Sequence, residues 1–230
     1  MSSENVYKYE MHIHTFACSN GGADICDHID ALISKGYSGM VVTNHFYYGD
    51  TKVDRTLPWE KFIEVYRNDY NNGLKYAQSR GFDLLWGLEE HVGNGQEILI
   101  YGITPEFLAE HPQLRQASAE KYAEVVHLYG GLVYQAHPYR DKEYIKEPFP
   151  LECLNMLDGI EVYNAANEPK WNQMAQKLAD DLGLACIAGS DGHSTSSAGL
   201  AGIATRERIK NNADLVRILK NREYVIFSDK

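Results

Sequence analysis

An α/β fold built on a mostly parallel sheet, open or closed into a barrel, is the class this sequence predicts, and three observations predict it. Short apolar runs of strand length alternate with longer segments of helical period, the signature of βαβ units. The chain has 230 residues, generous for a small domain and usual for a closed α/β barrel. Its polar residues also gather at the ends of the apolar runs, as they do where strand ends converge on one rim.

The elements follow in order. Strands are expected near "YEMHIH", "GMVVTNH", "FDLLWGLE", "EILIYGI", "LVYQAHP", "GIEVYN" and "ACIAGSD", with a last one at "GIAT" or "YVIFS". Between the first two, "ADICDHIDALISKG" places Ile25, Ile29, Leu32 and Ile33 on one helical face, and Gly36 sits where a helix end favours a left-handed residue. A long helix is expected from Pro58, suited to a first turn, to Gly81. "SAEKYAEVVHLYGG" and "EPKWNQMAQKLADDLG" end in glycine in the same way. No repeat of fixed period and no low-complexity linker divides the chain, so residues 1–230 are expected to form one domain.

Composition narrows the function. With 44% hydrophobic and 23% charged residues the chain is globular. No stretch reaches the ~18 uninterrupted apolar residues of a membrane span, and "MSSENVYKYE" lacks the basic and apolar segments of a secretory signal. Cys18, Cys26, Cys153 and Cys186 show no C-x-x-C spacing, which fits reduced thiols and a cytoplasmic location. The formal charge of −10 disfavours long nucleic acid and anionic membranes as partners, so an anionic substrate needs local cations. Oligomeric state is not encoded in any feature of the sequence. The serine-hydrolase elbow, the P-loop, the dinucleotide fingerprint and the H-E-x-x-H zinc motif are all absent.

Metal-assisted chemistry remains. His12 and His14, two apart on a strand, project to one side and can present two imidazoles to one ion. An isolated His-x-His also occurs on the wet face of an edge strand; here His45, Glu89, His137, Asn164, Asp191 and His193 stand at other strand ends. Imidazole with carboxylate suits zinc, manganese or iron, and a carboxylate can bridge two ions. His91 is a spare ligand, since it follows Glu89 by two, whereas Glu90 should face away. Asp191 could instead cap a helix, but His193 two residues on favours a paired ligand role. His28, His111 and His127 fall in helical segments and read as surface or packing residues.

The ordered set "HIHT", "VVTNH", "GLE", "AHPYR", "GIEVYN" and "AGSDGH" resembles the PHP family, named for polymerase and histidinol phosphatase, over about four fifths of the chain. The resemblance implies a distorted, TIM-like (β/α)7 barrel with two or three divalent ions (zinc, manganese or iron) at its C-terminal rim, and hydrolysis of phosphate esters. It implies His12, His14, Glu89 and Asp191 around a first ion, Glu89 bridging to a second held also by His137, and His45 with His193 at a third. Three departures stand out. "TFACSNGG" offers Cys18, Ser19 and Asn20 where many members carry Asp or His, Asn44 replaces an Asp, and "QEILIYG" lacks a further histidine, with Leu99 on the strand and Glu97 at its entrance as a replacement ligand.

The function expected is a metal-dependent phosphoesterase acting on a small phosphomonoester, such as a nucleotide or a histidinol-phosphate-like compound, with a coordinated water as nucleophile. Asp191, His193 and Arg140 are the expected catalytic residues. Arg140 either offers a guanidinium fork to phosphate oxygens or forms a surface salt bridge, and His193 or a metal-bound water supplies a proton to the leaving oxygen. "FYYGDTKVDRTLPW", with Lys52 and Arg55, is either a substrate lid or a packed loop. Two alternatives share the barrel: a metal-dependent hydrolase of a non-phosphate bond, and a non-catalytic module with a partly lost metal site.

Overall fold

A computed structural model of the protein describes residues 6–16 and 22–228. The sheet begins with β1 (Tyr7–Ile13), β2 (Gly39–Val42), β3 (Asp83–Gly93) and β4 (Gln96–Tyr101), and continues with β5 (Leu132–Gln135), β6 (Gly159–Asn164) and β7 (Ala185–Gly189). The hairpin of β8 (Ala201–Thr205) and β9 (Tyr224–Ser228) completes it. Both sequence candidates for a last strand are therefore present. The strand order is β7-β6-β5-β4-β3-β2-β1-β8-β9. The two ends of the seven-strand portion meet at the rim, where the Asp191 N–H donates to the His12 carbonyl (2.8 Å) and the His14 N–H to the Gly192 carbonyl (3.0 Å). This is a TIM-like barrel with β8 and β9 added outside β1.

Helices α1 (Ile25–Ser34), α2 (Trp59–Tyr66), α3 (Asn68–Ser79), α4 (Pro105–Glu110), α5 (Ala119–Tyr129), α6 (Pro169–Leu182) and α7 (Asn212–Asn221) accompany the strands. The long helix expected from Pro58 to Gly81 is divided at Arg67 (φ −77°, ψ −9°) into α2 and α3. Asp24 caps α1 by accepting the Cys26 N–H, and Gly130 and Gly183 end α5 and α6 in the left-handed conformation their sequences forecast. None of the helices is long and apolar enough to cross a membrane.

Within the seven-strand portion the sheet departs from the parallel expectation at one strand, and the added β8 and β9 are antiparallel as well. β4 pairs antiparallel with both β3 and β5, through the tight hairpin Gly93–Asn94–Gly95. Its beginning rather than its end therefore lies at the rim where the neighbouring strands finish. Glu97, not a C-terminal residue of the strand, is what β4 brings there.

Inside the barrel, Tyr9, Met11, Val41, Leu85, Leu99, Tyr101 and Tyr134 belong to one apolar cluster, while Ile13 packs outward with α1 residues Ile25 and Ile29. Strict alternation along β1 would turn His12 and His14 outward, opposite to Tyr9 and Met11. A bulge between Glu10 and Ile13 reverses the phase. The buried Glu10 carboxylate holds it by accepting the N–H groups of Met11 (3.0 Å), His12 (3.1 Å), Ser190 (2.9 Å) and Gly199 (3.1 Å), and the Ser190 hydroxyl. A second irregularity, between Glu161 and Tyr163, likewise lets Glu161 and Asn164 meet at the rim.

Candidate metal centre

Glu89 sits at the middle of the rim. Its Oε1 lies 3.1 Å from His12 Nε2 and 3.2 Å from His137 Nε2, and its Oε2 lies 2.9 Å from His45 Nδ1 and 3.4 Å from His14 Nε2. Asp191 Oδ1 is 3.1 Å from His14 Nε2 and 3.6 Å from His12 Nε2. The rings of His45 and His193 both pack against His14, with centroids 4.2 and 4.3 Å away, and lie 6.0 Å from each other. Ligand atoms of three groups lie within 4.8 Å of one another: His14, His45 and His193; His12, His14 and Glu89; and His45, Glu89 and Glu97.

The backbone is bent to build this cluster. His137 (φ 27°) and Asp191 (φ 50°) both occupy the left-handed region, which disfavours residues with a Cβ, and both stand just past a strand end. Gly189 removes an obstacle beneath them, because a Cβ there would lie 2.3 Å from His12 Cβ and 3.1 Å from Glu161 Oε1.

The donors fit a divalent cation on two grounds. His12 Nδ1 is 2.9 Å from Glu161 Oε1. A carboxylate can only accept, so the neutral ring carries its proton on Nδ1 and aims the Nε2 lone pair at Glu89 and at His14 Nε2, 3.1 Å away. Two ring nitrogens facing each other in this way must share a cation, a proton or a metal ion. The second ground is charge. Among the described residues Glu10, Glu89, Glu90, Glu97, Glu161 and Asp191 are buried, against one buried side-chain cation that is always charged, Arg140. Buried charges without partners are costly, so this excess calls for protons or metal ions.

The proton affinities show the same demand. Burial presses the His12 pKa down, but Glu161, Glu89 and Asp191 outweigh it and hold it well above the usual histidine value. Burial and the neighbouring His45 push His14 down to about 3, despite Asp191 and Glu89. His45, opposed by burial and held by Glu89 and Glu97, rises to about 9. Burial works against ionised Glu89 and Asp191, yet both stay well below the carboxylate range, Glu89 through His12 and Asp191 through Arg140 and His12. Burial lowers His193 in spite of Asp191. A neutral ring of that kind can serve as a metal ligand.

The structure gathers His12, His14, His45, Glu89, His137, Asp191 and His193 at one rim, together with Glu97, Arg140 and Asn164. Glu97 Oε2 approaches His137 Nε2 to 3.3 Å. Arg140 turns much of its fork inward: one terminal nitrogen lies 2.6 Å from Asp191 Oδ2 and 3.0 Å from Asn164 Oδ1, and Nε donates to Asn167 Oδ1 at 2.8 Å. His91 is not part of the cluster, since its Nε2 accepts the Gly95 N–H (3.0 Å) in the hairpin. Cys18 and Asn20 lie outside the described residues. Asn44 is spent on the main chain, its Oδ1 accepting the Thr15 N–H at 2.7 Å.

Sequence reasoning missed Glu161, although a lone acid in the apolar run "GIEVYN" was its signal. His28, read as a surface or packing residue, is fully buried, and its Nε2 lies 3.1 Å from the His14 carbonyl oxygen. Glu90 does face away from Glu89. It accepts the N–H groups of Tyr47 (3.0 Å) and Tyr48 (2.8 Å), and burial raises its pKa to about 7. The loop after His45 is packed: Arg55 binds the Tyr47 and Gly49 carbonyls and Lys52 the Phe16 carbonyl. A cavity of about 440 Å³ opens over the cluster, its lining including His45, Glu89, Glu97, Arg140, Lys142, Asp191 and His193, with Tyr48 and Tyr144 in its walls.

A family model described as PHP-associated matches residues 169–224. No curated protein matches the chain significantly. Several solved structures share the fold. A two-domain protein from Bacteroides vulgatus containing a predicted PHP-like metal-dependent phosphoesterase superposes with a TM-score of 0.67 at 17% identity over 97% of this chain. The chain spans 65% of that protein's length. A protein from Bifidobacterium adolescentis, provisionally assigned as a metal-dependent phosphoesterase, gives 0.61 at 15% identity, covering 92% of this chain and 95% of the other. A lesion-specific endonuclease from Pyrococcus furiosus gives 0.65 at 13% identity, covering 96% and 58%.

Proposed function

We propose that this chain, a PHP-domain protein in fold and in its C-terminal segment, is a metal-dependent phosphoesterase that hydrolyses small phosphomonoesters. The observation that carries the reading is the single cavity in which a dense His/Glu/Asp donor cluster faces two cationic side chains, Arg140 and Lys142. Its volume of about 440 Å³ suits a small molecule. The phosphoesterases of similar fold support the same class, and the endonuclease among them makes a phosphodiester the informative comparison substrate. The reading treats residues 1–230 as one barrel domain. The free thiols of Cys26, Cys153 and Cys186 support a reducing, cytoplasmic setting.

His12, His14, His45, Glu89, Glu97, His137, Asp191 and His193 would hold two or three divalent ions (zinc, manganese or iron). Bound there, such ions acidify water and neutralise phosphate charge. The chain's own contributions are positional. Glu161 fixes the His12 tautomer, and Arg140 holds Asp191 in place while lining the cavity. Lys142, exposed at the cavity wall, can meet a phosphate oxygen as a mobile charge.

Supplied with manganese or zinc, the protein should release inorganic phosphate from a phosphomonoester faster than it cleaves a phosphodiester, an amide or a lactone. Arg140→Ala should lower kcat/KM for the monoester roughly 10- to 1000-fold, about 1.4 to 4 kcal/mol, and Arg140→Lys should recover little. Wild-type activity in Arg140→Ala would remove the arginine from the site. A metal-loaded protein inert on every phosphate ester would favour the non-phosphate hydrolase.

A further inference from the structure

We infer that Glu97 makes one part of this centre an oxygen-rich site that accepts a harder cation such as manganese and narrows the advantage zinc holds over it, beside a nitrogen-rich group built on three histidines. The inference rests on the metal-centre reading above and concerns how its ligands are divided.

Two donor sets of different chemistry share His45. On one side His14, His45 and His193 converge as three imidazoles. On the other, His45 and His137 face the two carboxylates Glu89 and Glu97. Glu97 Oε1 lies 3.8 Å from His45 Nδ1 and Oε2 lies 3.3 Å from His137 Nε2, and the Glu89 oxygens are 2.9 and 3.2 Å from the same nitrogens. Two carboxylates offset the charge of one divalent ion. Carboxylate oxygen favours manganese and magnesium, whereas imidazole favours zinc.

The reversed direction of β4 makes this arrangement. Glu97 pairs with His91 across the antiparallel ladder and Leu99 pairs with Glu89, so Glu97 stands one step nearer the rim on the same face as Glu89. The strand cannot slide to present another side chain, because the Ala136 N–H donates to the Glu97 carbonyl at 3.0 Å and Ile98 pairs with Gln135. At 8% exposure the carboxylate has little water to solvate it, and the described residues offer it two imidazoles but no lysine or arginine in an ion pair. A buried acid so placed needs a cation in the space it shares with Glu89.

The test uses the full chain stripped by a chelator and titrated with manganese, free Mn²⁺ being followed by electron paramagnetic resonance, and then with zinc as competitor. Glu97→Gln, which keeps the shape and removes the charge, should lose one manganese equivalent or weaken it by at least the roughly tenfold seen when even an outer partner of a metal ligand is lost. Glu97→His should bind metal again, with zinc displacing manganese at an about tenfold or more lower concentration than in the unmodified protein. Unchanged manganese affinity in Glu97→Gln, or an unchanged zinc-to-manganese ratio in Glu97→His, would overturn the inference and leave the metal centre standing. An unmodified protein that binds neither ion would instead overturn the metal centre itself.

Discussion

Glu89→Ala should release at least one metal ion per chain and lower kcat/KM by about a thousandfold or more, roughly 4 kcal/mol of barrier. The size follows from position. Among the described residues no other side chain approaches His12, His14, His45 and His137 at once, all within 3.4 Å of its two oxygens. The metal-free protein should not suffer in proportion. Among the described residues Glu89 is one of six buried carboxylates set against a single buried guanidinium, and removing an acid from such a set relieves repulsion as well as breaking contacts. Elemental analysis combined with calorimetry of the metal-free form separates the two effects. A large loss of stability with unchanged metal content would make Glu89 a structural residue.

Glu10→Ala should cost about 3 to 5 kcal/mol, the largest stability effect expected of any single rim residue. Four backbone N–H groups and the Ser190 hydroxyl lose their acceptor, and the bulge that turns His12 inward loses its anchor. A dependence on pH accompanies this. Burial raises the Glu10 pKa from 4.5 to about 6 against the pull of the Ser190, His12 and Gly199 donors. A carboxyl whose folded pKa is raised contributes stability that is complete below the unfolded value and lost as pH rises through the folded value. Glu10 should therefore withdraw about 2 kcal/mol between pH 4.5 and 6, a slope that Glu10→Gln should remove. Denaturant unfolding at several pH values reads both results. An unfolding midpoint unchanged in Glu10→Ala would contradict the role assigned to the bulge.

Much of the site was legible because its ligands stand at strand ends, and strand ends are marked by where apolar runs stop. His12, His14, His45, Glu89, His137, Asp191 and His193 were all read this way, and their order along the chain carried the PHP resemblance. The sequence concealed what depends on strand direction and phase. Nothing local in "QEILIYG" says that its strand runs antiparallel, so Glu97 read as a substitute at a strand entrance, although that entrance lies at the rim. The bulges at Glu10–Ile13 and Glu161–Tyr163 are equally silent in the pattern, which is why Glu10 and Glu161 went unremarked. Arg140 was read from its place three residues beyond His137. Its engagement with Asp191, Asn164 and Asn167 depends on side-chain directions that spacing does not encode.

The most direct test of the account is the metal content of the unmodified protein, purified after growth with manganese and zinc and counted by elemental analysis after gel filtration. The converging lone pairs of His12 and His14, with Glu89 and Asp191 beside them, predict at least one tightly held transition-metal ion per chain. A protein that emerges with none, and takes up none when either ion is supplied afterwards, would contradict it.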